Sequence, residues 1–564
     1  MVRLLLLLLF CSLGVAIPIE KRAAPSVTTT YGTWTGGTSS SVEYFRGIPY
    51  GQAPTGSLRF AAPVKDTQSY GTHDATAYGK VCPQMNFANG VFPGFFNDLA
   101  QDIVDLVTSL PIFTDLAASD ASEDCLNLNV FRPSGTTSAD KLPVMVWIFG
   151  GAFLIGSASM PMYDPTNLIS RSIQLNQPTI VVSMNYRLNS FGFLPGQEAA
   201  DDSTVAPNAG LMDQRLALEW VQENIAAFGG DPTKVTIFGE SAGAISVAFQ
   251  LMAFDGNIKS SSSGGDLFRA AIMESGSPIP VGPPSYGQDS FDTLASAAGC
   301  SSASDKIACL RALSYEDMLD ATNALPNILS YQSVALPFLP RTDGVFLTDI
   351  AQNLAPAGKY AKVPVIGGDQ YDEGTILALG TLNITTEAQL KSWLQDVWFP
   401  RATSEQLDQG SSPFSRESLV SSPFDTGSLY AITPQNKRIN ALVGDLVFQA
   451  PRRAFMGYTN STQNTWSYVS RAWRATPFLG SFHLTDVLAV FGVDQLAPSE
   501  EMQIRWLNFA SNLDPNVGGW PYWPQYGSNA TLLQFTDSKS SVVADTFRAE
   551  GMEYIWSLAD PLTL

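Results

Sequence analysis

Ser241 stands at the centre of Gly239-Glu-Ser-Ala-Gly243, directly after the apolar, β-branched run Val235-Thr-Ile-Phe238. A serine hydroxyl attacks a carbonyl carbon only when a neighbouring base takes its proton. Between a strand and a helix, a Gly-x-Ser-x-Gly run forms a sharp, strained turn with the serine Oγ exposed at its tip. Glycines two residues either side let the strand and helix pass close together. Ala244 to Leu251 read as that helix. Chemistry of this kind is acyl transfer through a covalent acyl-serine.

The base is nearly forced, because the chain holds only two histidines, His73 and His483. A serine on such a turn takes its partners in the chain order acid, then histidine, and only His483 follows Ser241. His73, in Ser69-Tyr-Gly-Thr-His-Asp74, reads as a surface or structural residue. The acid must lie between Ser241 and His483, past the end of a strand. Val363-Pro-Val-Ile366 reads as a strand, and Asp369, Asp372 and Glu373 all follow it. Position does not choose among the three. A developing oxyanion needs backbone N–H donors. Gly150-Gly-Ala-Phe153, following a strand, supplies one side, and the N–H after the nucleophile, Ala242, supplies the other.

These groups need a scaffold. Continuous apolar runs at 143–149, 179–183, 235–238, 270–273 and 363–366 predict strands buried on both faces. Leu216 to Ile225 predicts a helix with Leu216, Trp220 and Val221 on one stripe. Strands alternating with helices predict an α/β class fold with an open, mostly parallel sheet.

Composition narrows the rest. The chain has 564 residues, 45% hydrophobic and 15% charged, with formal net charge −20. That is ample for a large core, and the negative charge argues against nucleic-acid binding. Arg3 followed by the apolar run to Ala16 reads as a secretory signal, too short for a comfortable bilayer span. Lys21-Arg22 adds a dibasic site, so residues 1–22 are expected to be removed and 23–564 to form one catalytic domain without stable membrane insertion. Cys11 lies in the signal, leaving Cys82, Cys125, Cys300 and Cys309, which allow three pairings. The nearest-neighbour pairing would contribute roughly 4 and 2.7 kcal/mol by chain entropy. A zinc site is disfavoured, since no Cys-x-x-Cys pair occurs. Asn383, Asn460 and Asn529 begin glycosylation sequons.

Several longer stretches resemble the type-B carboxylesterase/lipase family, which includes the cholinesterases. They are Phe45-Arg-Gly-Ile-Pro-Tyr50 with Leu58-Arg-Phe60, Ser122-Glu-Asp-Cys-Leu-Asn-Leu-Asn-Val130, and Phe228-Gly-Gly-Asp-Pro232 through Gly243. The resemblance covers about residues 26 to 555. It implies an α/β-hydrolase fold: a large, mostly parallel sheet flanked by helices, with a lid-bearing disulfide loop. It places the acid in the Asp-Glu-Gly-Thr run, hence Glu373, and the oxyanion donors at Gly151, Ala152 and Ala242. Ala152 departs from the family's usual glycine, keeping the N–H but adding a methyl. The resemblance also supports Cys82–Cys125 and Cys300–Cys309. It implies no metal and no cofactor.

Within the loop from Cys82 to Cys125, the run Val91-Phe-Pro-Gly-Phe-Phe96 is strongly apolar. From Asn97 to about Leu110 the pattern predicts an amphipathic helix with Leu99, Ile103, Leu106, Val107 and Leu110 on one face. In the lipase branch this loop is a lid, so about 83–124 is expected to cover the site and open at a lipid–water interface. The leading expectation is a secreted lipase or sterol esterase of long-chain acyl esters, monomeric or a weak homodimer. The alternative is a carboxylesterase of smaller soluble esters. An adhesion protein of the same family that had lost catalysis would lack a triad member, and none is missing here.

Overall fold

An apolar run with no polar face must be covered on both sides, and this chain stacks such runs side by side. The computed structural model describes residues 23–86, 120–411, 421–493 and 498–558. The middle of the main sheet is β7 (Leu142–Ile148), β8 (Ile180–Met184), β9 (Gly230–Glu240), β10 (Ala270–Glu274), β11 (Val365–Gln370), β12 (Thr465–Ser470) and β13 (Thr531–Phe535). Its edges are β3 (Gly37–Ser39), β4 (Val42–Pro49) and β6 (Asn127–Pro133) on one side and β14 (Ser541–Ala544) on the other. The eleven strands run in the order β14-β13-β12-β11-β10-β9-β7-β8-β6-β4-β3. Pairing is parallel from β8 across to β13 and antiparallel at both edges. The strands β1 (Ser26–Thr29), β2 (Gly32–Thr35) and β5 (Thr72–Asp74) form a separate three-stranded sheet.

The five strands expected from the sequence are β7 to β11. Two differ in extent. β9 reaches beyond 235–238 at both ends, to Gly230 and Glu240. β11 starts at Val365 and continues through Gly367-Gly368-Asp369-Gln370, so Asp369 lies inside the strand and not beyond it. The two glycines that hid this extension are close-approach sites: a Cβ on Gly368 would collide with the Tyr468 ring. The helix expected at 216–225 runs Ala209–Asn224, and that at 244–251 runs Ala242–Gly256.

Register sets the site. Glu240 pairs with Glu274, and Glu274 with Gly368, so the carboxyl ends of β9, β10 and β11 lie level. Loops leaving the carboxyl ends of adjacent parallel strands converge on one crevice, where α/β sheets hold their ligands. Among the described residues, no helix is long and apolar enough to cross a membrane.

Candidate active site

Ser241 joins β9 to the helix Ala242–Gly256 with φ 57° and ψ −126°. This left-handed backbone is strained for a residue with a Cβ. Its surroundings hold it there. A Cβ on Gly239 would lie 2.6 Å from the Ile148 carbonyl oxygen, and one on Gly243 would collide with the same oxygen. The Ser241 N–H donates to the Glu274 carbonyl at 2.9 Å. From Val235 to Ala253, Ser241 alone is not fully buried, so the turn presents this one side chain.

His483 lies just before the helix Thr485–Val490, with Leu484 between them in the left-handed region. Its Nδ1 lies 2.6 Å from Glu373 Oε2. Its Nε2 lies 3.2 Å from Glu240 Oε1, one residue before Ser241, so the ring spans from the acid to the turn. The Phe448 ring packs on the imidazole, centroids 4.7 Å apart. Glu373 follows β11, and its other oxygen accepts the Gln370 N–H at 2.5 Å, which fixes the carboxylate. Each rival acid is engaged elsewhere. Asp369 accepts from Arg452 Nε at 2.8 Å. Asp372 accepts from Ser422 Oγ at 2.8 Å, Phe424 N at 2.8 Å and Ser481 N at 3.0 Å. His73 is exposed on β5 against Trp34 and Tyr70, far from this role.

The loop after β7 lies against the turn. A Cβ on Gly150 would sit 2.8 Å from Ser241 Cβ. Gly151, Ala152 and Phe153 all have positive φ, of 113°, 59° and 60°. Three successive positive φ values fold this loop back sharply beside Ser241. The Gly151 carbonyl accepts from Leu154 and Ile155 N–H at 3.0 and 3.2 Å, which pins the loop. Among the described residues, neither the Gly151 nor the Ala152 N–H donates to a backbone carbonyl. Ala242, first in its helix, has an N–H with no carbonyl one turn back. Three backbone N–H donors beside one partly exposed serine can stabilise an oxyanion.

This arrangement has relatives. The carboxylesterase family model matches residues 23–555. The chain belongs to the carboxylesterase family. It is 42% identical over 552 residues to secreted lipase 1 of Botryotinia fuckeliana, covering 96% of this chain and 94% of that one. It is 42% identical over 560 residues to the secreted triacylglycerol lipase LIP1 of Gibberella zeae, covering 97% and 92%. The crystal structure of Aspergillus niger EstA superposes with TM-score 0.78 at 27% identity, covering 96% of this chain and 99% of that one.

In this carboxylesterase the cysteines pair Cys82–Cys125 and Cys300–Cys309, with Cα–Cα distances of 4.9 and 5.8 Å. The expected lid helix at 97–110 lies outside the described residues. The base of its loop is held beside the oxyanion loop. Gln84 exchanges two hydrogen bonds with Gly156, at 2.7 and 3.0 Å, and the Met85 N–H donates to the Leu154 carbonyl at 3.1 Å.

Sequence reasoning missed the acids around His483. Glu240, Glu274 and Asp486 are wholly buried with it. Asp486 accepts from Tyr468 Oη at 2.8 Å and Ser275 Oγ at 3.3 Å; Glu274 accepts from Trp506 Nε1 at 2.7 Å. Neither Glu240 oxygen has a hydrogen-bond partner among the described residues. The signal was present: Glu240 is the variable position of the serine motif, and Asp486 falls three residues after His483. Burial raises all three, and Glu373 with them; the charges of neighbouring acids raise Glu240, Glu274 and Glu373 further, whereas hydrogen bonds and His483 oppose the rise at Asp486.

Burial drives the imidazole the other way, down from 6.5 to about 4, against the opposing pull of Asp486 and Asp369. A base works only when unprotonated. The acid limb of kcat/KM for a soluble ester is therefore expected near pH 4. Asp486→Asn, which removes a charge favouring imidazolium, is expected to move it lower still. A wild-type limb at the free imidazole value, about 6.5, would contradict this reading.

Proposed function

We propose that this carboxylesterase is a secreted lipase or sterol esterase that cleaves long-chain acyl esters through an acyl-enzyme on Ser241. The observation that carries the chemistry is Glu373 Oε2 at 2.6 Å from His483 Nδ1, with Nε2 turned to the strained turn of Ser241. The substrate class is supported by the two fungal relatives named as secreted lipases, each aligned along nearly the whole chain. Those names also support secretion; the apolar leader and the dibasic Lys21-Arg22 support a mature single domain from Ala23.

Ser241 Oγ attacks the ester carbonyl carbon while His483 Nε2 takes its proton. Glu373 keeps the remaining proton on Nδ1 and stabilises the imidazolium. The negative oxygen of the tetrahedral intermediate accepts from Gly151, Ala152 and Ala242. Each such donor is worth about 3–4 kcal/mol in the transition state. Collapse breaks the carbonyl-carbon to alkoxy-oxygen bond, and His483 passes its proton to the departing alcohol. Water then repeats the sequence on the acyl-serine, releasing the acid and restoring Ser241. The loop closed by Cys82–Cys125 serves as the lid. Asn383 and Asn529 are exposed and open to glycosylation, whereas the Asn460 amide donates to the Met456 and Gly457 carbonyls.

A second reading, hydrolysis of smaller soluble esters, is favoured by 30% identity over 535 residues to the para-nitrobenzyl esterase of Bacillus subtilis. Initial rates on p-nitrophenyl esters of rising chain length, triolein and a cholesteryl ester separate the two. The lipase reading expects long-chain esters to be cleaved and the rate to jump when substrate forms an interface. Cleavage of short esters alone, with no such jump, would leave the second reading.

A further inference from the structure

Sharing no residue with the site around Ser241, a polar pocket lies between the helices Thr166–Gln174 and Ser499–Asn512 and the turn joining β13 to β14. Its volume is about 360 Å³, within the range of small-molecule sites. Such sites are mostly apolar, whereas this one is lined chiefly by polar side chains, with Trp520 its one aromatic among the described residues. Arg171 fixes one wall: its guanidinium donates to Gln174 Oε1 and Glu500 Oε1, both at 3.1 Å. The Gln174 amide N–H groups are left over as donors. Glu501, only 2% exposed, also lines the pocket. Its Oε1 accepts from Arg505 Nε at 2.9 Å and Ser540 Oγ at 2.6 Å. Its Oε2 takes no hydrogen bond among the described residues. A buried carboxylate oxygen without a donor is costly. Lys539 Nζ and the half-buried Trp520 indole are likewise without partners there. The charges of the lining residues balance, Arg171 and Lys539 against Glu500 and Glu501. Helix N-termini attract anions, but Glu500 and Glu501 already stand in the first turn here. A cation would meet Arg171 and Lys539. The ligand that fits is neutral, rich in groups that both donate and accept, and apolar on one face.

We propose that this pocket binds a neutral saccharide unit. A sugar hydroxyl donates to Glu501 Oε2, and other hydroxyl oxygens of the ring accept from Lys539 Nζ and the Gln174 amide. The C–H face of the ring packs on the Trp520 indole, whose negative π face meets the positive C–H groups. Free sugars and units of a polysaccharide share this chemistry. A polysaccharide held here tethers the hydrolase and leaves Ser241 free. The site does not depend on the ester class proposed above.

The test is calorimetric titration of the intact protein with the methyl glycosides of glucose, mannose, galactose and xylose, followed by crystals soaked with the tightest binder. Saturable binding of one glycoside per chain is expected, with the ring on Trp520 and a hydroxyl on Glu501 Oε2. Trp520→Ala and Glu501→Gln are each expected to weaken it about tenfold, with esterase kcat/KM on p-nitrophenyl butyrate unchanged. Cosedimentation with insoluble mannan or β-glucan, lost in Trp520→Ala, would place the unit in a polymer; glycoside binding without it would place the unit in a free sugar. Melting temperature reports whether each variant folds; if Glu501→Gln, which also loosens Arg505, does not, Trp520→Ala carries the test. No saturable binding of any of the glycosides, equal binding by folded Trp520→Ala, tighter binding of sulfate or choline than of every glycoside, or a soaked crystal with only water in the pocket would overturn the proposal.

Discussion

His483→Ala is expected to lower kcat by about 10⁶-fold on a soluble ester, with KM changed little. The imidazole is the only histidine placed to carry a proton between Ser241 and the leaving alcohol, because the other, His73, is exposed on β5. Its loss also removes a ring that packs on Phe448, so a moderate fall in melting temperature is expected alongside. The two effects separate in single-turnover measurements on the folded variant. A rate within about tenfold of wild type would remove His483 from the mechanism.

Glu373→Gln is the second large effect, expected near 10⁴-fold in kcat. The amide keeps the shape of the side chain, and its oxygen can still accept the Gln370 N–H. It cannot both do that and hold Nδ1 protonated as the carboxylate does, so the imidazole adopts the wrong tautomer or turns. The comparison with neighbouring acids makes the test sharp. Asp372→Asn weakens a clamp on Ser422, Phe424 and Ser481, the last only two residues before His483. It should cost about 1–3 kcal/mol of stability. Asp369→Asn unbalances the buried Arg452, which also pairs with Asp545, and should act on stability in the same way. Neither should approach the kinetic loss of Glu373→Gln. If Asp372→Asn instead abolished turnover in folded protein while Glu373→Gln did not, the acid would be misassigned.

The distance between sequence and structure is itself physical. Strands β7 to β11 are legible because both of their faces are buried, so their residues are continuously apolar. The edge strands are not. β4 and β6 carry Glu43 and Arg132, a buried ion pair at 2.8 Å that makes each strand look polar when read alone. The serine turn is legible because its glycines are required by backbone contacts within a few residues and one neighbouring strand. The choice among Asp369, Asp372 and Glu373 is not, since Arg452, Ser422, Ser481 and His483 decide it, and all stand far along the chain. Family resemblance selects Glu373, the acid whose Oε2 lies 2.6 Å from His483 Nδ1. The acids Glu240, Glu274 and Asp486 escaped for the same reason: two separate strands and a helix bring them to one ring.

The central claim is that Ser241 forms the covalent intermediate. The most direct measurement is mass spectrometry of folded protein after treatment with a p-nitrophenyl alkylphosphonate, followed by peptide mapping. The account predicts one phosphonyl group per chain, on the peptide containing Ser241, with activity lost in proportion and no label in Ser241→Ala. Labelling at another residue, or full esterase activity in folded Ser241→Ala, would contradict it.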